Sequence, residues 1–151
     1  MRIDECLAAA LHDGATVPSL TNLVLEAAEQ MEPPLDMNAV LGLWPGLRVS
    51  VEELDGEGYL VELDGRAGEI LVRSSATRTR RRFTLAHELG HWTLALTPAL
   101  RDRMPRAALE QWCDEFAREL LIPEAWLRSE LRGRREPLAQ SVVQLPKVFE
   151  V

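Results

Sequence analysis

Three histidines are all that this chain of 151 residues possesses, and two of them flank a glutamate in the run His87-Glu88-Leu89-Gly90-His91. Residues four apart on an α-helix stand one above the other on the same face. Two imidazoles so placed grip a single Zn²⁺, and the glutamate between them reaches a water at the metal as a general base. At about 100° per residue, Thr84, His87, Glu88 and His91 share one arc of a helix beginning near Arg82. Leu85, Leu89, Trp92 and Leu96 fill the opposite side. The spacing predicts a helix with an apolar back in the core and a polar front on a cleft. Gly90 weakens that helix, and a close approach by a neighbouring element is its expected compensation. Thr97-Pro98 ends it, because proline disfavours α geometry in the residue before it.

An open zinc site takes three protein ligands and leaves the fourth position to water, whereas a closed structural site uses four Cys or His ligands. Only two such residues converge here, which favours the open kind. The next helix, from about Arg106 to Leu121, buries the stripe Leu109, Trp112, Cys113, Phe116, Ala117, Leu120. Glu115 and Glu119 point away from the stripe. Glu110 and Asp114 lie together on its shoulder, one turn apart. Glu110 is the expected third ligand and Asp114 its rival for that place. With Glu110 on the metal, Asp114 accepts a hydrogen bond from the far nitrogen of a ligand histidine and so fixes its tautomer.

The run Arg82-Phe83-Thr84-Leu85-Ala86-His87-Glu88-Leu89-Gly90-His91-Trp92, followed by Trp112-Cys113-Asp114-Glu115-Phe116-Ala117-Arg118-Glu119-Leu120-Leu121-Ile122-Pro123, resembles the ImmA/IrrE family of metallopeptidases. The close resemblance spans residues 82 to 123. It implies a gluzincin-like zinc peptidase with His87, His91 and Glu110 as ligands, Glu88 as catalytic base and Asp114 behind a ligand histidine. It also implies a protein substrate, a helix-turn-helix repressor whose cleavage switches on stress-response or mobile-element genes. The alternative is a peptidase-fold regulatory protein that binds such a partner without efficient cleavage.

The elements that must position these residues read as α+β. A helix over Ser19–Met31 ends at Pro33-Pro34, and a short one runs from about Asp36 to Leu41. Three strands follow, Leu47–Leu54, Gly58–Leu63 and Gly68–Ser74, with Leu47, Val49 and Val51 alternating inward. Asp55-Gly56-Glu57-Gly58 and Asp64-Gly65-Arg66 have the chemistry of hairpin turns. A small antiparallel three-stranded sheet packed with helices, a zincin-like core, is the expected architecture. Gly68–Ser74, the last strand before the histidine helix, is the expected edge for an added substrate strand. A last helix spans about Pro123 to Leu131. Residues 1–132 are expected to form one domain, and residues 133–151 a less ordered tail.

Composition narrows the function classes. The hydrophobic content of 46% supports a core at this length. No apolar run is long enough to span a membrane, and Met1-Arg2-Ile3-Asp4-Glu5 lacks the character of a signal peptide. The net charge of −7 argues against direct nucleic-acid binding. The basic cluster Arg78, Arg80, Arg81 and Arg82 is expected to cap the histidine helix or flank its cleft. Cys6 and Cys113 are far apart in sequence, and Cys113 reads as a reduced core thiol, so a cytoplasmic location is expected.

Overall fold

Side-chain caps set the starts of three helices in the computed structural model, which describes residues 2–151. Helix α1 (Ile3–His12) buries Leu7 and Leu11, a stripe at helical spacing that the sequence reading passed over. Helix α2 runs Val17–Ala27 rather than Ser19–Met31, because Thr16 caps it by accepting from the N–H of Ser19. Its end is marked by Glu29, which adopts φ 54°. Asp36 caps α3 (Met37–Leu41) with bonds from the N–H groups of Asn38 and Ala39. The histidine helix α4 (Arg78–Ala95) begins a turn earlier than expected, because Thr77 accepts from the N–H of Arg80. Helices α5 (Pro98–Arg101), α6 (Arg106–Leu121), α7 (Glu124–Arg132) and α8 (Leu138–Phe149) complete the set.

Strands β1 (Leu47–Glu52), β2 (Gly58–Glu62) and β3 (Gly68–Arg73) form one sheet in the order β1-β3-β2. The α+β class and the three strands are as expected, but the sheet is mixed. Strands β2 and β3 are antiparallel, with Tyr59 opposite Leu71. Their turn contains two left-handed residues, Gly65 at φ 69° and Arg66 at φ 62°. Strand β1 pairs with β3 in parallel, Val49 opposite Ile70. The link over residues 53–57 therefore carries the chain past the place of β3 and is no hairpin. The expected edge role of Gly68–Ser74 is likewise overturned. Strand β3 is central, hydrogen-bonded on both sides, with Gly68, Ile70 and Val72 buried.

Helix α4 lies between the sheet and α6, and two glycines let it approach both. A Cβ on Gly58 would meet Thr84 Cγ2 at 2.4 Å and the carbonyl oxygen of Leu71 at 2.9 Å. A Cβ on Gly90 would sit 3.1 Å from Cys113 Cα. The close approach expected at Gly90 is therefore made by α6. Ile70, Val72, Ala86, Leu89, Trp92, Phe116 and Leu120 fill the core around this helix. Strand β1 extends past its cover. Leu47 is buried, but Val49 and Val51 remain 37% and 51% exposed, contrary to the inward alternation expected of all three.

The chain's ends are tied to this frame. Buried Asp4 accepts a 2.6 Å bond from Trp44 Nε1 and pairs with Arg66 in the β2–β3 turn. At the other end, residues 138–149 are helical where a less ordered tail was expected, and Phe149 is fully buried. Glu150 then pairs with Arg78 at 3.1 Å. No helix among the described residues is long and apolar enough to cross a membrane.

Gly90→Val drives a branched side chain into the α6 backbone. It is expected to lower stability by about 1–3 kcal/mol in urea unfolding, and an unchanged midpoint would show that α4 and α6 separate freely.

Candidate active site

The α4 register sets His87 and His91 one turn apart and facing α6, with ring centroids 5.0 Å apart and planes at 66°. Helix α6 answers with two carboxylates at the same spacing. Glu110 spans both imidazoles, with Oε2 3.2 Å from His87 Nε2 and Oε1 3.3 Å from His91 Nε2. Asp114 lies behind His87, its Oδ1 accepting from Nδ1 at 2.8 Å. The two rivals for a place beside the histidines thus take different nitrogens.

This donor set fits a cation. With Nδ1–H donated to Asp114, a neutral His87 turns the Nε2 lone pair toward the Glu110 carboxylate. Two acceptors 3.2 Å apart repel unless a proton or a metal ion lies between them. Two imidazoles and a carboxylate suit a divalent transition metal. Burial lowers the His91 imidazole below its ordinary value, opposed by Glu110 and assisted by His87. That holds the ring in the neutral form in which it ligates.

Cys113 also reaches the site, which its place in an apolar stripe did not announce. Donor atoms of His87, His91 and Cys113 lie within 4.8 Å of one another. The signal was present, because Cys113 follows Glu110 by three residues and so shares its side of α6. The thiol is fully buried, and burial, with the charges of Glu110, Glu88 and Asp114, pushes its pKa far up. As found, it is a protonated thiol packed against Gly90, while Glu110 meets both Nε2 atoms.

Glu88 stands in the same cleft, 7% exposed. Burial raises its carboxyl above the ordinary carboxylate value; His87 opposes the shift and Glu110 adds to it. A carboxylate shifted this way is a stronger base than a solvated one.

The cleft measures about 360 Å³ and is walled on one side by Gly58, Tyr59 and Leu60 of β2. Arg101 lines it too and donates Nη1 to both Glu62 carboxylate oxygens at 3.1 Å. Arg106 lines the cleft one turn ahead of Glu110. Its i−4 relation to Glu110 was readable; the Arg101–Glu62 pair joins α5 to β2 and was not. Tyr59 is half exposed on the cleft wall. Of the two places expected for the basic cluster, it takes the first: its four arginines form the opening turns of α4, and none of them lines this cleft.

Residues 45–151 match the IrrE N-terminal-like domain of the M78 peptidases. The chain is also 36% identical, over 90 residues, to the radiation response metalloprotease IrrE of Deinococcus radiodurans. That alignment covers 54% of this chain and 27% of the relative, so the similarity concerns about a quarter of the longer protein. With the family match extending over most of the chain and containing the whole histidine cleft, the protein belongs to the M78 peptidase family through its IrrE N-terminal-like domain.

Proposed function

We propose that this protein is a zinc-dependent endopeptidase of the ImmA/IrrE type, with His87, His91 and Glu110 as ligands and Glu88 as catalytic base. The observation that carries the reading is the Glu110 carboxylate set across both Nε2 atoms, with Glu88 buried in the same cleft. When bound, the ion supplies Lewis acidity, acidifying water and polarising a carbonyl. Glu88, raised by burial, takes the proton from the attacking water and returns it to the leaving amine. Asp114 holds His87 in the tautomer that keeps Nε2 free to ligate. Arg106 adds positive charge at the cleft wall.

The substrate reading shifts to a different strand from the one the sequence suggested. Among the described residues, strand β2 pairs with β3 alone, which leaves its other edge unpaired, and Gly58 and Leu60 line the cleft. An extended peptide adds there as a further strand, its backbone held by β2 beside the histidines. The resemblance to ImmA/IrrE proteins makes a helix-turn-helix repressor the proposed substrate, and the relative is named for a radiation response. Free Cys6 and Cys113 accord with action in the reducing cytoplasm.

Metal analysis of the purified protein is expected to give about one zinc per chain, lost in His87→Ala and in Glu110→Ala but kept in Cys113→Ala. Loss from Cys113→Ala with retention in Glu110→Ala would move the third ligand to the thiol. Asp114→Asn is expected to bind zinc about 10–100-fold more weakly, measured by chelator competition. Glu88→Gln is expected to retain zinc and partner binding while cleavage of a co-purified repressor falls by about 10²–10⁴-fold. Cleavage at the wild-type rate by that variant would remove Glu88 from the role of base.

A further inference from the structure

A second cavity, of about 460 Å³, shares no residue with the histidine cleft. Val49, Val51 and Val72 of the sheet form one side; Arg78, Arg81 and Arg82 from the first turns of α4 form another. This is the apolar strip of β1 that the core leaves uncovered.

Arg82 is only 8% exposed, yet its Nε and Nη2 are buried without a hydrogen-bond partner among the described residues. These two nitrogens form the side edge of the guanidinium, the fork that meets two oxygens of one carboxylate or phosphate. Buried charged donors are rarely left unpaired, because losing water without a replacement is costly. The nearest acids leave that edge free. Glu150 Oε2 is 4.0 Å from Nη1, the third nitrogen, and is already bonded to Arg78 Nη2 at 3.1 Å. Asp36, in the cavity wall, spends Oδ1 on the N–H groups of Asn38 and Ala39.

The helix itself adds to the excess of positive character. The first turn of α4 contains no acidic residue, so its arginines stand at the positive end of the helix dipole. Arg80 pairs with Glu57, while Arg81 has no ion-pair partner among the described residues. Burial, helped by Arg78 and opposed by Glu150, pulls the Arg82 guanidinium below its ordinary value. The group stays charged at neutral pH, because an arginine starts so far above it.

We propose that this cavity binds a small oxyanion with an apolar body. With its side chain turned toward the cavity, Arg82 meets two of its oxygens through the Nε–Nη2 edge, which is closed to solvent as found; Arg78 and Arg81 flank the charge, and the three valines cover the apolar part. A phosphate ester and an aromatic carboxylate share this chemistry, and the size and lining of the cavity accept either.

The test is a titration of the full chain with phenyl phosphate, benzoate and inorganic phosphate, followed by NMR at the Arg82 Nε–H. A saturable shift is expected with at least one of the two aromatic anions. Arg82→Lys keeps the charge without the fork and is expected to weaken binding by about tenfold or more. Arg81→Gln, at a half-buried position without an ion pair, is expected to weaken it several-fold and serves if the Arg82 variant fails to fold. Tighter binding of phenyl phosphate than of inorganic phosphate supports the apolar contact, and equal binding overturns that part. Preference between phenyl phosphate and benzoate identifies the head group. No saturable shift with any of the three, or unchanged affinity in both variants, overturns the site. The readout is binding rather than hydrolysis, so its failure is separate from any failure at the histidines.

Discussion

The approach of α4 to α6 at Gly90 and Cys113 is the constraint on which the histidine site depends. A Cβ on Gly90 would stand 3.1 Å from the Cys113 Cα, so any side chain there would press on α6 and push the two helices apart. That contact sets the register. With Gly90 opposite Cys113, His87 and His91 face Glu110 and Asp114, which α6 spaces by the same single turn. On the sheet side, Gly58 sits against Thr84, which holds β2 beside Glu88. Three elements are thereby fixed around one cleft by the absence of two side chains. Positioning at this scale matters, because a misplacement of about 1 Å can cost a catalytic constellation two orders of magnitude.

The site works against its own burial. Glu88 is raised and His91 lowered by the same loss of solvent, and Cys113 is held protonated between three carboxylates. A fold selected for stability alone would not gather Glu88, Glu110, Asp114 and two imidazoles at one half-buried spot. The opposing stabilisation comes from the apolar back of the same helices. Leu89 and Trp92 of α4, and Phe116 and Leu120 of α6, are buried by the turns that aim the polar groups at the cleft. Perturbed groups that share a cleft and are supported from behind are the usual form of a functional site.

The parts legible in the sequence were those governed by spacing within one helix. His87, Glu88 and His91 follow the period of α4, and Glu110 with Asp114 follows that of α6, so their faces could be assigned before their partners were known. The sheet order was not legible in this way. The run Gly68–Arg73 alternates like any half-buried strand, and its central place depends on pairing with β1 and β2, which no local signal encodes. Val49 and Val51 share the face of their partners Ile70 and Val72, yet they stay partly exposed where those two are buried. Alternation reports the face a residue occupies, whereas burial depends on what lies opposite. Pro137 stands at the N-cap of α8, ahead of its first helical residue, and Phe149 anchors the far end in the core. In α1, Leu7 and Leu11 were a readable stripe, and the partner of buried Asp4, Arg66, was too distant in sequence to suggest that the helix docks.

The arginine cluster shows why motif and context have to be read separately. Arg82 opens the run that ends in the histidines, yet it lines a different cavity from the one they occupy. Five residues along a helix turn a side chain by about 140°, so adjacency in a motif does not place two residues in one site. The net charge of −7 misleads in the same way, because electrostatics at the start of α4 depends on Arg78, Arg81 and Arg82 with Glu150 and Asp36, not on the whole-chain sum. Glu150 joins the last helix to the first turns of α4 through Arg78 and approaches Arg82. The chain's far end therefore contributes to the field in this cavity, while the histidine cleft takes its charges from α4, α5, α6 and β2. One helix thus belongs to two electrostatic environments, separated by a little more than one turn and by the direction in which its side chains point.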